Sequence, residues 1–313
     1  MTASMTSGVR RVGAIDLGTN TAMLLVVEAS ADGTRRVLVD RELYPRLGEG
    51  LDEAGCLSGA ARERTLKAVR ALADEARCYD TQTLSLVGTS ALRDGDKDGS
   101  LLAELRAIVP SSRVIDGAEE ARLTTSGALA VTGVRGAFVC IDVGGGSTEV
   151  VFGETAPATH AFEVRFAASL PLGSVRLHGR HAEADEPFLE AYGDARTLLF
   201  DALPCMSVDS HTVIAVAGSA ATVGALALMA RDEAWHEGAR IGTREVDAVV
   251  ERLVLTSEDD RAAMHPWLAQ RADVAPYGAI VLQAVLHHLA VRELVVSTAG
   301  VRWGLAIDLL DGG

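Results

Sequence analysis

Two stretches decide how this chain reads: Ile15-Asp16-Leu17-Gly18-Thr19-Asn20 and Ile141-Asp142-Val143-Gly144-Gly145-Gly146-Ser147-Thr148-Glu149. Each follows an apolar run that reads as a strand, and each precedes another such run. The aspartate closes the first strand and the glycines make the hairpin turn. A single Asp-x-Gly is best read as a plain turn. Two of them at matched places in one chain point to phosphate binding. Glycines such as Gly18, Gly144, Gly145 and Gly146 let backbone N–H groups approach phosphate oxygens and form an anion nest. Thr19, Asn20, Ser147 and Thr148 add side-chain donors. Asp16, Asp142 and Glu149 can hold a divalent cation, Mg2+ or Mn2+, directly or through water.

Periodicity outward from the first stretch gives strands near 11–16, 20–28 and 35–44, then a helix at 58–78. Ser58 suits its N-cap, and Leu66, Val69, Ala73 and Ala76 make one apolar stripe. A strand near 83–88, a helix near 100–109, a short strand at 113–115 and a helix near 118–130 follow. The second stretch opens the same order again. Strands are expected near 137–143, 147–153 and 161–169, a helix at 185–203 and a strand at 212–217. Helices near 220–230, 244–255 and 275–290, a strand at 293–297 and a closing helix at 300–310 complete the chain. Three strands followed by alternating helix and strand, twice over, predicts a duplicated α/β protein with a mixed five-stranded sheet in each half. The joint falls around Thr132–Gly136, dividing the chain into 1–132 and 133–313 with a cleft between. The closing helix is expected to pack back on the first half.

The 313 residues exceed what one compact core usually holds, in keeping with two halves. Hydrophobic residues make up 48% and charged residues 23%, an ordinary globular profile. The first eight residues are small and polar, and order is not expected there. The net charge of −14 excludes attraction of polyanions by the overall field, so any phosphate ligand needs a local site. Non-specific nucleic-acid binding is excluded on the same ground. Lys67 and Lys97 are the only lysines, and arginine, which suits bidentate phosphate contacts, supplies the remaining cations. Cys56, Cys78, Cys140 and Cys205 are far apart and form no CxxC pair. With no signal-peptide pattern and no run long enough to span a bilayer, a reduced, cytoplasmic chain with free thiols is expected. The pairs His178/His181 and His287/His288 have no partners at metal-ligand spacing.

The paired loops resemble those of the sugar kinase, heat-shock chaperone and actin superfamily, where two phosphate loops face each other across an interdomain cleft. Further segments narrow the resemblance to the exopolyphosphatase and guanosine pentaphosphate phosphatase family. These are Arg46-Leu47-Gly48-Glu49-Gly50-Leu51, Gly88-Thr89-Ser90-Ala91-Leu92-Arg93, Gly117-Ala118-Glu119-Glu120-Ala121-Arg122, Ser169-Leu170-Pro171-Leu172-Gly173-Ser174-Val175-Arg176-Leu177 and Ala217-Gly218-Ser219-Ala220-Ala221-Thr222. They occur in the family's order over nearly the whole chain. The resemblance implies duplicated ribonuclease H-like domains of the actin-like ATPase type, and divalent-metal-assisted hydrolysis of a terminal phosphoanhydride.

It also assigns roles. Glu120, just before Ala-Arg in its motif, takes the place of the base that activates water. Taken alone, Glu119 and Glu120 read as first-turn carboxylates favoured by the helix dipole. Arg93, following a strand, can clamp a phosphate. Arg122 reads equally as functional or as an ion-pair partner, and Arg176 as structural. Ser219 keeps a hydroxyl where nucleotide-binding relatives contact adenosine, whereas Ala221 lacks the family's common threonine. Inorganic polyphosphate is the expected substrate, and guanosine pentaphosphate, with a link to the stringent response, the alternative. The chain stops after the second repeat, before the helical domain of longer relatives, so short polyphosphates are expected to be favoured. A kinase reading is weaker because sugar kinases take their aspartate base from another segment. A non-catalytic sensor of polyphosphate or guanosine polyphosphates is the reading of a different class. Homodimers are common among relatives.

Overall fold

The computed structural model describes residues 9–156, 161–204 and 206–312. Cys205 and the first eight residues, whose order was addressed above, lie outside the described residues. The first half runs β1 (Arg10–Leu17), β2 (Ala22–Ala29), β3 (Arg35–Leu43), α1 (Leu51–Ala54), α2 (Gly59–Cys78), β4 (Thr83–Gly88), α3 (Ser90–Gly95), α4 (Ser100–Ile108), β5 (Arg113–Val114) and α5 (Gly117–Thr132). Then come β6 (Ala137–Val143), β7 (Thr148–Thr155), β8 (Phe162–Leu170), α6 (Ser174–His181), α7 (Pro187–Ala202), β9 (Thr212–Val216) and α8 (Ala217–Ala230). The chain closes with β10 (Ala239–Gly242), α9 (Thr243–Leu255), α10 (Glu258–Met264), α11 (Ala275–His288), β11 (Glu293–Val296) and α12 (Val301–Asp311).

The first sheet has the order β3-β2-β1-β4-β5, with β1, β2 and β3 antiparallel and β4 and β5 parallel to β1. The second repeats it as β8-β7-β6-β9-β11. This is the mixed five-stranded sheet expected from the duplicated pattern, in the ribonuclease H-like arrangement that the resemblance implies. One correction applies to the sheets: β10 pairs antiparallel with β11 and makes the second sheet six-stranded. Ala-Arg-Ile-Gly is only four residues between two helices, too short for its alternation to stand out.

Strand alternation builds the layers, because successive side chains point to opposite faces. In the first sheet Ile15, Leu17, Leu24 and Val26 bury against α2 and α4. Val12, Ala14, Leu25 and Val27 turn the other way, onto Val301, Leu305 and Ala306 of α12. In the second sheet Val139, Ile141, Val150 and Phe152 face the α7, α8, α9 and α11 side. Phe138, Cys140 and Val151 face Ala121, Ala128 and Leu129 of α5. So α5 and α12 form one central layer between the two sheets. They approach backbone to backbone: a Cβ at Gly304 would sit 2.0 Å from the carbonyl oxygen of Leu123. Ser58 caps α2 by accepting from the N–H of Ala61, as its sequence position predicts.

Candidate active site

Both loop aspartates belong to the inner faces of their sheets. Asp16 has the parity of Val12 and Ala14, and Asp142 that of Phe138 and Cys140. Each is the inward residue nearest the hairpin turn, so both carboxylates point into the gap beside the central helices. Cross-strand partners extend each aspartate into a row. In the first sheet the row is Asp16, Met23 and Glu42. In the second it is Asp142, Glu149 and Ser169. Thr124 of α5 donates to Asp142 Oδ2 at 2.8 Å, and Ser169 Oγ to Glu149 Oε1 at 2.7 Å. Asp16 Oδ1 is buried without a hydrogen-bond partner.

The loops are held from behind by their carbonyls. Gly48 N donates to Thr19 O at 2.8 Å and Arg46 N to Asn20 O at 3.0 Å. In the second loop Ser174 N donates to Gly144 O at 3.0 Å, and Val175 N to Gly145 O at 2.8 Å. Arg176 Nε takes Gly146 O at 2.9 Å. A peptide whose carbonyl is tied back presents its N–H forward. The tied carbonyls of Thr19, Gly144 and Gly145 share their peptides with the N–H groups of Asn20, Gly145 and Gly146, and these three, like the N–H of Thr19, have no protein acceptor among the described residues. This is the donor arrangement an anion nest requires. The loops also meet across the gap. A Cβ on Gly146 would lie 2.5 Å from Ser90 Oγ and 2.6 Å from Thr19 Oγ1, so any larger residue would have to displace both hydroxyls. Behind them Gly173 is needed equally, since a Cβ there would come within 2.5 Å of the Gly145 carbonyl.

α5 supplies the remaining carboxylate. Asp116 caps its start by accepting from Glu119 N at 2.8 Å. The two adjacent glutamates then diverge. Glu119 turns away to Arg113 at 2.7 Å. Glu120 is buried and turns into the cleft, where Arg93 Nη1 donates to its Oε2 at 3.2 Å. Burial, reinforced by Asp142 and opposed by Arg93, pushes the Glu120 carboxyl up to about 8. Burial and Asp142 raise Asp16 to about 7 against the pull of Arg302. Burial also raises Asp142, partly offset by the Thr124 hydroxyl. Glu149 goes well above the usual carboxylate range through burial, Glu120 and Asp142, with Ser169 and Ser147 acting the other way. Four buried carboxylates this close cannot all ionise without a counter-charge.

That charge set, with the orphaned Asp16 oxygen, fits a divalent cation. No three His, Cys, Asp or Glu side chains among the described residues converge as a ready-made metal cage. A hard cation held by one or two carboxylates, with water and phosphate oxygens completing its shell, matches both facts and is how magnesium is usually bound.

Most residues expected from the sequence meet in this cleft, whose empty space, including its open mouth, is about 930 Å³. Asp16, Gly18, Thr19, Asn20, Glu120, Asp142, Gly144, Gly145, Gly146, Ser147 and Ser219 all line it. Three do not. Thr148 has outward parity, and its hydroxyl donates to Leu172 O at 2.6 Å on the far side of the sheet. Arg93 lies outside the lining, where its Nη1 donates to Glu120 and, at 2.9 Å, to Ile115 O, which makes it the partner of Glu120. Glu149 stands behind the lining, beside Asp142 on the next strand. Arg122 makes a two-pronged ion pair with Asp308 of α12 at 2.6 and 3.3 Å, an anchor within the central layer.

Sequence reasoning missed Arg271 and Arg302. Arg271 is only 8% exposed, donates to Glu42 Oε1 at 2.5 Å and Tyr44 OH at 2.9 Å, and has an unpartnered Nε. Arg302, at the start of α12, forks onto Asp40 at 2.9 and 3.0 Å. For Arg302 the only available signal was its place two residues after Gly300, at the opening of α12. Ala217, at the turn into α8, lines the cleft with φ of 68°, a strained value for a residue with a side chain.

Comparison with known proteins fits this frame. A model of the Ppx/GppA phosphatase family matches residues 26–312. Exopolyphosphatase 2 of Mycobacterium tuberculosis is 36% identical over 320 aligned positions, covering 96% of this chain and 98% of that one. A crystal structure of an exopolyphosphatase-like protein superposes with a TM-score of 0.86 at 28% identity, covering 96% of this chain and 98% of the other. An exopolyphosphatase from Cytophaga hutchinsonii shares the fold with a TM-score of 0.85 at 22% identity, over 97% of this chain and 98% of its own.

Proposed function

The chain belongs to the Ppx/GppA phosphatase family, and from that premise we propose that it is an exopolyphosphatase, removing orthophosphate from the end of inorganic polyphosphate. The observation that carries this reading is the buried Glu120 carboxylate facing two opposed anion nests. The terminal phosphate sits between the loops and takes hydrogen bonds from the N–H groups of Thr19, Asn20, Gly145 and Gly146. Ser147 and Ser219 add hydroxyls. Glu120 accepts a proton from a water molecule held in line with the terminal bridging bond. The water oxygen bonds to phosphorus as the bridging P–O bond breaks. Orthophosphate and a chain one unit shorter leave, and Glu120 returns its proton to solvent. Arg93 favours the ionised form of Glu120 that a general base needs and holds its orientation.

Asp16 and Asp142, with Glu149 through water, are the residues that would hold Mg2+. The ion would supply charge neutralisation for the phosphate oxygens. Residues 1–132 and 133–313 are taken as the two actin-like halves, with α12 serving the first. No helix of the described residues is long and apolar enough to cross a membrane. The exposed free thiols Cys56 and Cys78 suit the reducing cytoplasm.

Guanosine pentaphosphate is the second reading, with a part in the stringent response. One feature favours it: a side chamber opening off the cleft at Arg271 and Thr298, lined by Trp235 and Trp267, which pack edge to face on each other with ring centroids 5.1 Å apart. An aromatic base would fit such walls, and the buried, unpartnered Thr222 hydroxyl lines the same space. Phosphate release from polyphosphate, guanosine pentaphosphate and ATP, each with magnesium, tests the assignment. Polyphosphate should give the highest kcat/KM. A higher value for guanosine pentaphosphate would move the assignment to the second reading, and phosphoryl transfer from ATP to a small acceptor would refute both.

A further inference from the structure

The two halves are fastened across the cleft by arginines that also hold the phosphate loops. Arg46 donates its N–H to Asn20 O in the first loop, and its guanidinium crosses to Asp273 Oδ1 at 2.7 Å and Gln270 O at 3.3 Å. Arg176 does the reverse. Its N–H and Nε hold Gly145 O and Gly146 O in the second loop. Its two terminal nitrogens cross to Asp52 of α1 and, at 2.9 Å, to Asp94 of α3. Both residues come shortly after the third strand of their own half. Both therefore touch their own loop from behind and the opposite half from the side.

Two details argue against simple surface pairing. Arg46 has φ of 52°, a left-handed conformation that is costly for a residue with a Cβ. The Arg176 side chain is only 15% exposed, and its planar fork is fully used on three acceptors in two halves. A lone surface ion pair needs neither feature.

We propose that Arg46 and Arg176 are positioning residues for the hydrolysis: each makes the forward-facing geometry of its own phosphate loop depend on closure of the cleft. With the halves apart, each guanidinium loses its carboxylate, and the loop carbonyl behind it is held less firmly. With the halves together, both nests and Glu120 come into register around one phosphate. Closure and assembly of the site are then a single event. The proposal rests on the phosphohydrolase reading for its kinetic consequence, but not for its structural one.

The test uses the full chain with Arg176→Met, Arg176→Lys, Arg46→Met and Asp273→Asn. Kinetics are measured on polyphosphate with magnesium, and small-angle scattering on the ligand-free proteins. Loss of registration should cost about tenfold or more in kcat, with KM changed less than threefold. The radius of gyration should rise in both methionine variants. Arg176→Lys should recover part of the loss, since its charge still reaches Asp52 and Asp94. Asp273→Asn leaves every loop contact in place, so it decides the case if an arginine variant fails to fold. A lowered Tm with kcat unchanged would overturn the proposal. So would a fall in kcat with unchanged scattering, because the arginines would then act on substrate directly. If the wild type releases no phosphate from polyphosphate, the functional reading fails while scattering still decides the closure claim.

Discussion

The two sheets present equivalent rows of residues to the cleft, and the rows differ where it matters. In the second half Asp142 is followed across the sheet by Glu149 and Ser169. In the first half Asp16 is followed by Met23 and Glu42. The backbone frame is repeated, but the middle carboxylate exists only once. Glu42 is drawn away into hydrogen bonds with Tyr44 and Arg271. Acidic character therefore concentrates on the second side, where Asp142 raises the proton affinity of Glu149 beside it and of Glu120 on the central helix α5. Duplication supplies two opposed loops, and divergence gives the second half the charged wall.

Removing the difference should have the largest effect. Glu149→Met copies the first row into the second and should lower kcat by up to about 100-fold, as loss of an outer-shell metal partner commonly does. Met23→Glu in that background should not restore activity, since its position belongs to the other wall. A kcat within tenfold of wild type for Glu149→Met would break the comparison.

The turns offer the next contrast. Gly146→Ala forces a methyl against Ser90 Oγ and Thr19 Oγ1, and should cost about tenfold to 100-fold in kcat by holding the loops apart. At Gly18 the nearest atom to an added Cβ is Thr21 O at 3.4 Å, ordinary contact, so Gly18→Ala should stay within about threefold. Equal losses would mean that loop flexibility, and not the close approach, is what matters.

Protonation comes third. A folded-state pKa above the unfolded value means that the folded chain binds the proton more tightly. The associated stability is complete at low pH and is lost as pH rises from about 4 through about 7 for Asp16. Metal-free Asp16→Asn should therefore be more stable than wild type at pH 8, by about 2–4 kcal/mol, and lose that advantage near pH 4. Urea unfolding at the two pH values measures this. Magnesium should narrow the gap at pH 8 by stabilising the wild type alone. The smallest effect belongs to Arg122→Ala. Its pair with Asp308 is about half exposed on both sides, so the loss should be about 1 kcal/mol or less, with kcat unchanged.

Much of this was legible in the sequence because the informative features are local. Asp-x-Gly after an apolar strand fixes a turn and a nest, and the repeated order of elements fixes two sheets. Thr148 was misplaced although its parity was readable: it alternates with Glu149, so the two cannot share a face. The role of Arg271 was not readable, because its partners Glu42 and Tyr44 are distant in the chain and only closure brings them together. The same holds for Arg93, whose nearness to Glu120 depends on how β4 and α5 pack. The helices α1, α3, α6 and α10 were missed because each is less than three turns long and carries Gly or polar residues that read as loop.

The most direct test of the account is Glu120→Gln, which keeps the shape and the Arg93 hydrogen bond but removes the base. Hydrolysis of polyphosphate with magnesium should fall by about 10² to 10⁴-fold. Binding of polyphosphate, measured by titration calorimetry, should stay within about threefold. Retention of more than about a tenth of wild-type turnover would contradict Glu120 as the base, as would parallel loss of binding and hydrolysis.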